Sequence, residues 1–130
     1  MKLFLDDMRE PEDCIAYMSY RLGTFCSIYK EDWTVVRNYD EFIKAIQDNW
    51  REITHISYDH DLAEGHYHKN MQEGVLNYES NDFEDNQNKT GYHAAKYMKD
   101  FYDNREIEYP VMFVHSMNPV GTQNIINLFK

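Results

Sequence analysis

Three short apolar runs in this chain each stop at ionisable side chains. Leu3-Phe4-Leu5 runs into Asp6-Asp7, Ile56-Ser57-Tyr58 into Asp59-His60-Asp61, and Val111-Met112-Phe113-Val114 into His115-Ser116. Crowded carboxylates repel and raise one another's pKa unless a cation or an Arg intervenes. Asp6, Asp7, Asp59 and Asp61 therefore make an oxygen-rich set suited to Mg²⁺ or Mn²⁺. The plainer alternative is that some of them only cap helices or bond loop amides, Asp61 first among them. An unperturbed imidazole titrates near neutrality, so His60 and His115 across a phosphate would serve as base and acid in turn, with Asp59 counted in both the catalytic and the metal set. Otherwise a histidine at a strand end is a hydrogen-bonded spacer. Ser116, Asn118 and the helix start that follows offer hydroxyl, amide and backbone donors to a phosphate. Asn118 equally suits simple N-capping. Arg9, just after the acidic pair, is placed to clamp a phosphate oxygen or to neutralise the pair.

Those side chains converge only if the runs that carry them are neighbouring parallel strands. Lys2 to Leu5 reads as a buried strand, and Asp6 to Pro11 leaves the sheet. From Glu12 to Lys30, Ile15, Met18 and Leu22 have helical spacing, but Gly23 keeps any helix short. Trp33 to Val36 is β-branched and aromatic, the mark of a second strand. Asn38 with Glu41 three residues on resembles a capping box, and Phe42, Ile43, Ile46 and Trp50 share one helical face. Ile53 to Tyr58 makes the third strand. Residues 62–89 form a long polar stretch with no sustained apolar period, a length that in compact domains usually marks a functional lid or mobile segment. His66 and His68 alternate within it and offer nitrogen ligands to a transition metal, or are merely solvated; His93 follows it. Thr90 or its predecessor caps a helix with Ala94, Ala95, Met98, Phe101 and Tyr102 inward. Val111 to Val114 is the fourth strand, and Asn118-Pro119 opens a last helix with Ile125, Ile126 and Phe129 inward. Alternating strands and helices imply a parallel sheet with right-handed crossovers and helices on both faces. The three ionisable junctions then lie on its carboxyl edge, where open α/β folds bind ligands.

The 130 residues match one domain, 1–130, with the polar loop as an internal feature. A formal charge of −10 argues against an extended nucleic-acid surface, which needs clustered Lys and Arg, but not against a small anionic ligand. Two cysteines are too few for a disulfide framework, and no segment approaches membrane-spanning length, so the expected setting is cytoplasmic with no membrane partner. Eleven tyrosines supply either core packing or stacking surfaces for a base.

Leu-Phe-Leu-Asp-Asp-Met-Arg-Glu-Pro (3–11), Ile-Ser-Tyr-Asp-His-Asp-Leu (56–62), Thr-Gly-Tyr (90–92) and Val-His-Ser-Met-Asn-Pro-Val-Gly (114–121) together resemble the receiver-like family named for predicted cyclic-phosphate processing. The resemblance implies an α/β, small receiver-like fold: flavodoxin-like, truncated and three-layered, with a mostly parallel four-stranded sheet. It also implies action on a cyclic phosphate, either an RNA 2′,3′-cyclic end or a cyclic nucleotide signal. Against ordinary phospho-receivers, Asp6 and Asp7 match the acidic pair, Asp59 the phospho-accepting position and Ser116 the hydroxyl position. No fifth strand with its Lys is legible, which sets the chain apart from phosphorelay receivers. Two readings follow. One is an enzyme in which His60 and His115 move protons, Mg²⁺ or Mn²⁺ or Arg9 balances charge, and the loop closes over the substrate. The other is a non-catalytic module that sequesters a phosphorylated ligand, or a degenerate phospho-receiver.

Overall fold

The computed structural model describes residues 1–62, 78, 79, 83 and 85–130. His66 and His68, and most of the polar stretch that holds them, lie outside the described residues. Strands β1 (Lys2–Leu5), β2 (Thr34–Val36), β3 (His55–Tyr58) and β4 (Val111–Val114) form one parallel sheet in the order β2-β1-β3-β4. The parallel α/β sheet expected from the alternating pattern, and the small receiver-like fold implied by the resemblance, are the architecture observed, with every strand pair parallel.

The helices are α1 (Ile15–Leu22), α2 (Tyr39–Asn49), α3 (Gly91–Asn104) and α4 (Pro119–Leu128). Each of the last three starts at a side chain that accepts a backbone N–H: Asn38 from Glu41, Thr90 from Tyr92, and Asn118 from Gly121. Gly23, with a φ of 72°, ends α1 in the left-handed region that glycine adopts without penalty. Short 3-10 turns at Pro11–Cys14 and Ser27–Lys30 flank α1. Among the described residues no helix is long and apolar enough to cross a membrane.

Alternation along the strands divides the core in two. Leu3, Leu5, Ile56 and Tyr58 pack with Phe42, Ile46, Ala94, Ala95, Met98 and Ile125 of α2, α3 and α4. Phe4 faces the other way, into Cys14, Met18, Cys26 and Tyr29 around α1. Three expected positions differ. The stripe on α1 is incomplete, because Leu22 is exposed and Met18 carries the burial. Trp50 lies one residue past α2, half-buried against the core. Ile126 is exposed, and Leu128 packs inward with Ile125 instead, since α4 presents a narrower face than its apolar content suggests.

Leu5, Tyr58 and Val114 stand in register, and the ladder runs one residue further. Asp6 N–H donates to the Val36 carbonyl, Asp59 N–H to Leu5 and His115 N–H to Tyr58. On the outer edge of β4, Arg21 of α1 donates to the outward carbonyls of Val114 (2.8 Å) and Ser116 (2.6 Å).

Candidate functional site

Because those three residues continue the ladder together, Asp6, Asp59 and His115 take the same face as Phe4, Ser57 and Phe113, the α1 side. His60, one residue past Asp59, takes the other face, against Gly121 of α4. Asp6 is almost wholly buried. Its Oδ1 accepts the amides of Met8 (2.9 Å) and Arg9 (2.7 Å), and its Oδ2 accepts Arg9 Nε (2.9 Å) and His115 Nε2 (3.0 Å). Burial opposes ionisation of Asp6, but the His115 bond, the two amides and the Arg9 charge outweigh it and hold the carboxyl far below the usual range.

Arg9 also reaches Asp59, with Nη2 3.5 Å from Oδ1. The remaining bond to that oxygen comes from the His60 amide at 2.9 Å. Burial, and then the charge of Asp6, push the Asp59 carboxyl up to about 8 against the opposing pull of Arg9. Asp7, half-buried, is raised as well, by burial and then by Asp6. Oxygens of Asp6, Asp7 and Asp59 lie within 4.8 Å of one another. Three carboxylates against one guanidinium leave a deficit of positive charge, and an all-oxygen donor set suits a hard divalent cation. The cluster can hold a metal ion. All four acceptor positions on Asp6 are in use, so a cation takes that residue only by displacing a donor, and the partly exposed Arg9 is the one able to leave. Asp7 and Asp59 carry the more available oxygens.

Asp61 does not join this cluster. Its Oδ1 lies 2.7 Å from His60 Nδ1, and Asn118 Nδ2 reaches both of its oxygens, at 3.3 and 3.1 Å. It ties the end of β3 to the cap of α4, in keeping with the plainer alternative given for it above, while the three-oxygen cluster is made by Asp6, Asp7 and Asp59. Asn118 in turn caps α4 through Oδ1 to the Gly121 amide at 2.9 Å. Ser116 is buried, its Oγ accepts the Asn118 amide at 3.1 Å, and its carbonyl takes Tyr17 and Thr122 besides Arg21. Asn118 is therefore engaged through both atoms of its amide in building the turn into α4, and Ser116 Oγ takes part in that turn as an acceptor.

The histidines do not face each other across one space. The His115 ring is fully buried, stacked on Phe4 at 4.3 Å, with Nε2 on Asp6 and Nδ1 2.7 Å from Ser57 Oγ. Ser57 Oγ is itself 2.8 Å from the Tyr29 hydroxyl. His60 is equally buried but on the opposite face, where a Cβ added to Gly121 would lie 2.3 Å from its Cγ. Its Nε2 meets the Tyr78 hydroxyl at 2.7 Å, and Asn124 donates to that hydroxyl at 2.9 Å. Period-two alternation explains the separation, because His60 follows Asp59 whereas His115 is in register with it. A mechanism in which the two rings exchange protons across one phosphate does not fit this geometry. Ser57, Tyr29 and Tyr78 were not singled out by their residue types. Only Ser57 left a trace, as a polar residue inside a buried strand.

The backbone also closes on the site from α3. Gly91 N–H donates to the His60 carbonyl at 2.8 Å, and a Cβ at Gly91 would fall 1.7 Å from the Asp59 carbonyl oxygen. The Thr-Gly-Tyr motif is thus a contact in which only glycine lets α3 approach the end of β3.

A model of the cyclic-phosphate processing receiver domain matches residues 1–130, the full length of the chain. The chain belongs to that family. Comparison with curated proteins and with solved structures gives no match. Within the receiver family's frame, the acidic pair after β1 and the aspartate after β3 form the cluster, and Arg9 supplies its guanidinium.

Proposed function

We propose that this domain binds a cyclic phosphate at the acid and guanidinium cluster on the carboxyl edge and opens it by hydrolysis. The substrate is an RNA 2′,3′-cyclic phosphate end or a cyclic nucleotide. The observation that carries the reading is Asp59, a nearly buried carboxyl pushed up to about 8 and held 3.5 Å from the Arg9 guanidinium. A proton carrier poised near neutral pH beside an anion-binding group suits phosphoester cleavage, because the departing oxygen must be protonated.

Ring opening adds one water across one P–O bond. The water oxygen joins phosphorus, the ring oxygen leaves with the bonding pair, and a proton ends on the new hydroxyl. Arg9 donates to a non-bridging oxygen through a charge-assisted bond. Asp59 carries the proton between water and the leaving oxygen. Asp6, held ionised, fixes the turn that presents Arg9. Mg²⁺ or Mn²⁺ held by Asp7 and Asp59, with Asp6, would keep Asp59 ionised and would itself supply charge neutralisation and a more acidic water, in place of the proton-carrying role that Asp59 has in the metal-free site. His115 acts through Asp6, and His60 through Asp61 and the α4 cap.

One observation favours a second reading. With both ring nitrogens of each histidine engaged in buried contacts, the feature that most favoured an enzyme over a sequestering module has a structural explanation. The deciding experiment incubates the protein, with and without Mg²⁺ or Mn²⁺, with RNA carrying 2′,3′-cyclic ends and with cyclic mono- and dinucleotides, followed by chromatography. Hydrolysis predicts a linear phosphate product that Asp59→Asn abolishes. Retention of a ligand with no product under any metal condition replaces the enzyme with the sequestering module.

A further inference from the structure

His115 is the middle of a four-residue chain that runs from the acid cluster into the core: Asp6, His115, Ser57, Tyr29. The direction of its hydrogen bonds is fixed at both ends. Asp6 accepts the amides of Met8 and Arg9 and the Arg9 Nε–H, and in that setting it acts only as an acceptor, so His115 Nε2 carries the hydrogen between them. Tyr29 is completely buried, and among the described residues its hydroxyl meets only Ser57. If the phenol does not donate there, its hydrogen is lost in an apolar pocket, at the cost of an unmade buried bond. Ser57 therefore accepts from Tyr29 and passes its own hydrogen to His115 Nδ1. That makes Nδ1 an acceptor and returns the ring hydrogen to Nε2, the state that Asp6 requires.

We infer that Ser57 and Tyr29 are positioning residues for the acid cluster: they lock His115 as an Nε2–H donor and so hold the Asp6 carboxylate in place. The order Asp, His, Ser also occurs in hydrolytic triads, but Ser57 is fully buried within β3 and no substrate reaches it. The chain's effect passes outward, to Asp6. The ring cannot rotate out of this arrangement easily, since Phe4 stacks on one face at 4.3 Å and Tyr29 stands edge-on at 6.4 Å.

The inference rests on the acid cluster as the working part of the proposed function, but its test does not require turnover. Nitrogen-15 NMR of the histidine rings in the metal-free protein should show His115 in the Nε2–H form, with that hydrogen slow to exchange with water. Ser57→Ala and Tyr29→Phe should each speed its exchange by about tenfold or more, and Ser57→Ala should weaken Mn²⁺ binding by about tenfold, as expected when a supporting partner of a ligand is lost. Ser57→Thr, which keeps the hydroxyl, should restore both. A wild-type ring protonated on Nδ1 overturns the inference, as do unchanged exchange rates in the two deletion variants. If the wild type binds no Mn²⁺, the metal reading fails while the exchange rates still decide this one.

Discussion

His60 and His115 follow the ends of adjacent strands, are both fully buried, and both bond a carboxylate, yet they serve different parts of the molecule. His115 points to the α1 side and braces Asp6 inside the acid cluster. His60 points to the α4 side and joins Asp61, Tyr78 and, through Asp61, the Asn118 cap. One ring organises the charged site, and the other fastens the helix behind it. Residue type and position at a strand end do not distinguish these roles; the side of the sheet does.

The sharpest way to break this comparison is to strike one ring alone. Gly121→Ala drives a Cβ into His60 and leaves the His115 chain untouched. It should destabilise the fold by roughly 2–4 kcal/mol in denaturant titration, with the His115 ring resonances unchanged.

Asp59→Asn comes next and tests the charged side. A carboxyl whose folded pKa is about 8 against an ordinary 3.8 holds its proton longer in the folded state than in the unfolded one. Stability from this group therefore falls as pH rises from about 4 to about 8. Asp59→Asn should stabilise the metal-free protein by roughly 1–3 kcal/mol at pH 8 and by little at pH 4, read as melting temperature against pH. The same variant should lose any Mg²⁺ or Mn²⁺ stabilisation. His115 has the opposite sign: burial lowers its pKa despite Asp6, so its contribution is lost as pH falls below the ordinary histidine value.

A smaller effect separates the two rings directly. His115→Gln should weaken Mn²⁺ binding by about tenfold, and His60→Gln by less than about twofold, measured by calorimetry. Equal losses would erase the distinction drawn above. Smallest is Asn118→Ala, which removes a helix cap and should cost about 1 kcal/mol without altering Mn²⁺ affinity.

Much of this was legible in the residues. The abrupt change from apolar to ionisable at Asp6, Asp59 and His115 marked the strand ends, and the strand and helix alternation implied a common edge. The face taken by each side chain was not read, because it depends on the register that aligns Leu5, Tyr58 and Val114, and a shift of one residue exchanges the faces. With that alignment, neighbouring Asp59 and His60 must point apart. For Asp61 the residue type left metal ligation and capping both open, and its bonds to His60 and Asn118 depend on contacts across the fold that no local pattern carries. Tyr29 lies in a 3-10 turn with no periodic pattern, so nothing in its surroundings linked it to Ser57.

Arg21 has a consequence for how the protein meets other chains. β4 ends the sheet, and a bare parallel edge is a template on which a foreign strand can grow. The guanidinium occupies the two outward carbonyls at the carboxyl end of that edge. A strand adding there would have to displace the Arg21 guanidinium and leave its charge without those acceptors. The α1 side chain thus works as a guard against aggregation at the carboxyl end of the sheet's open edge.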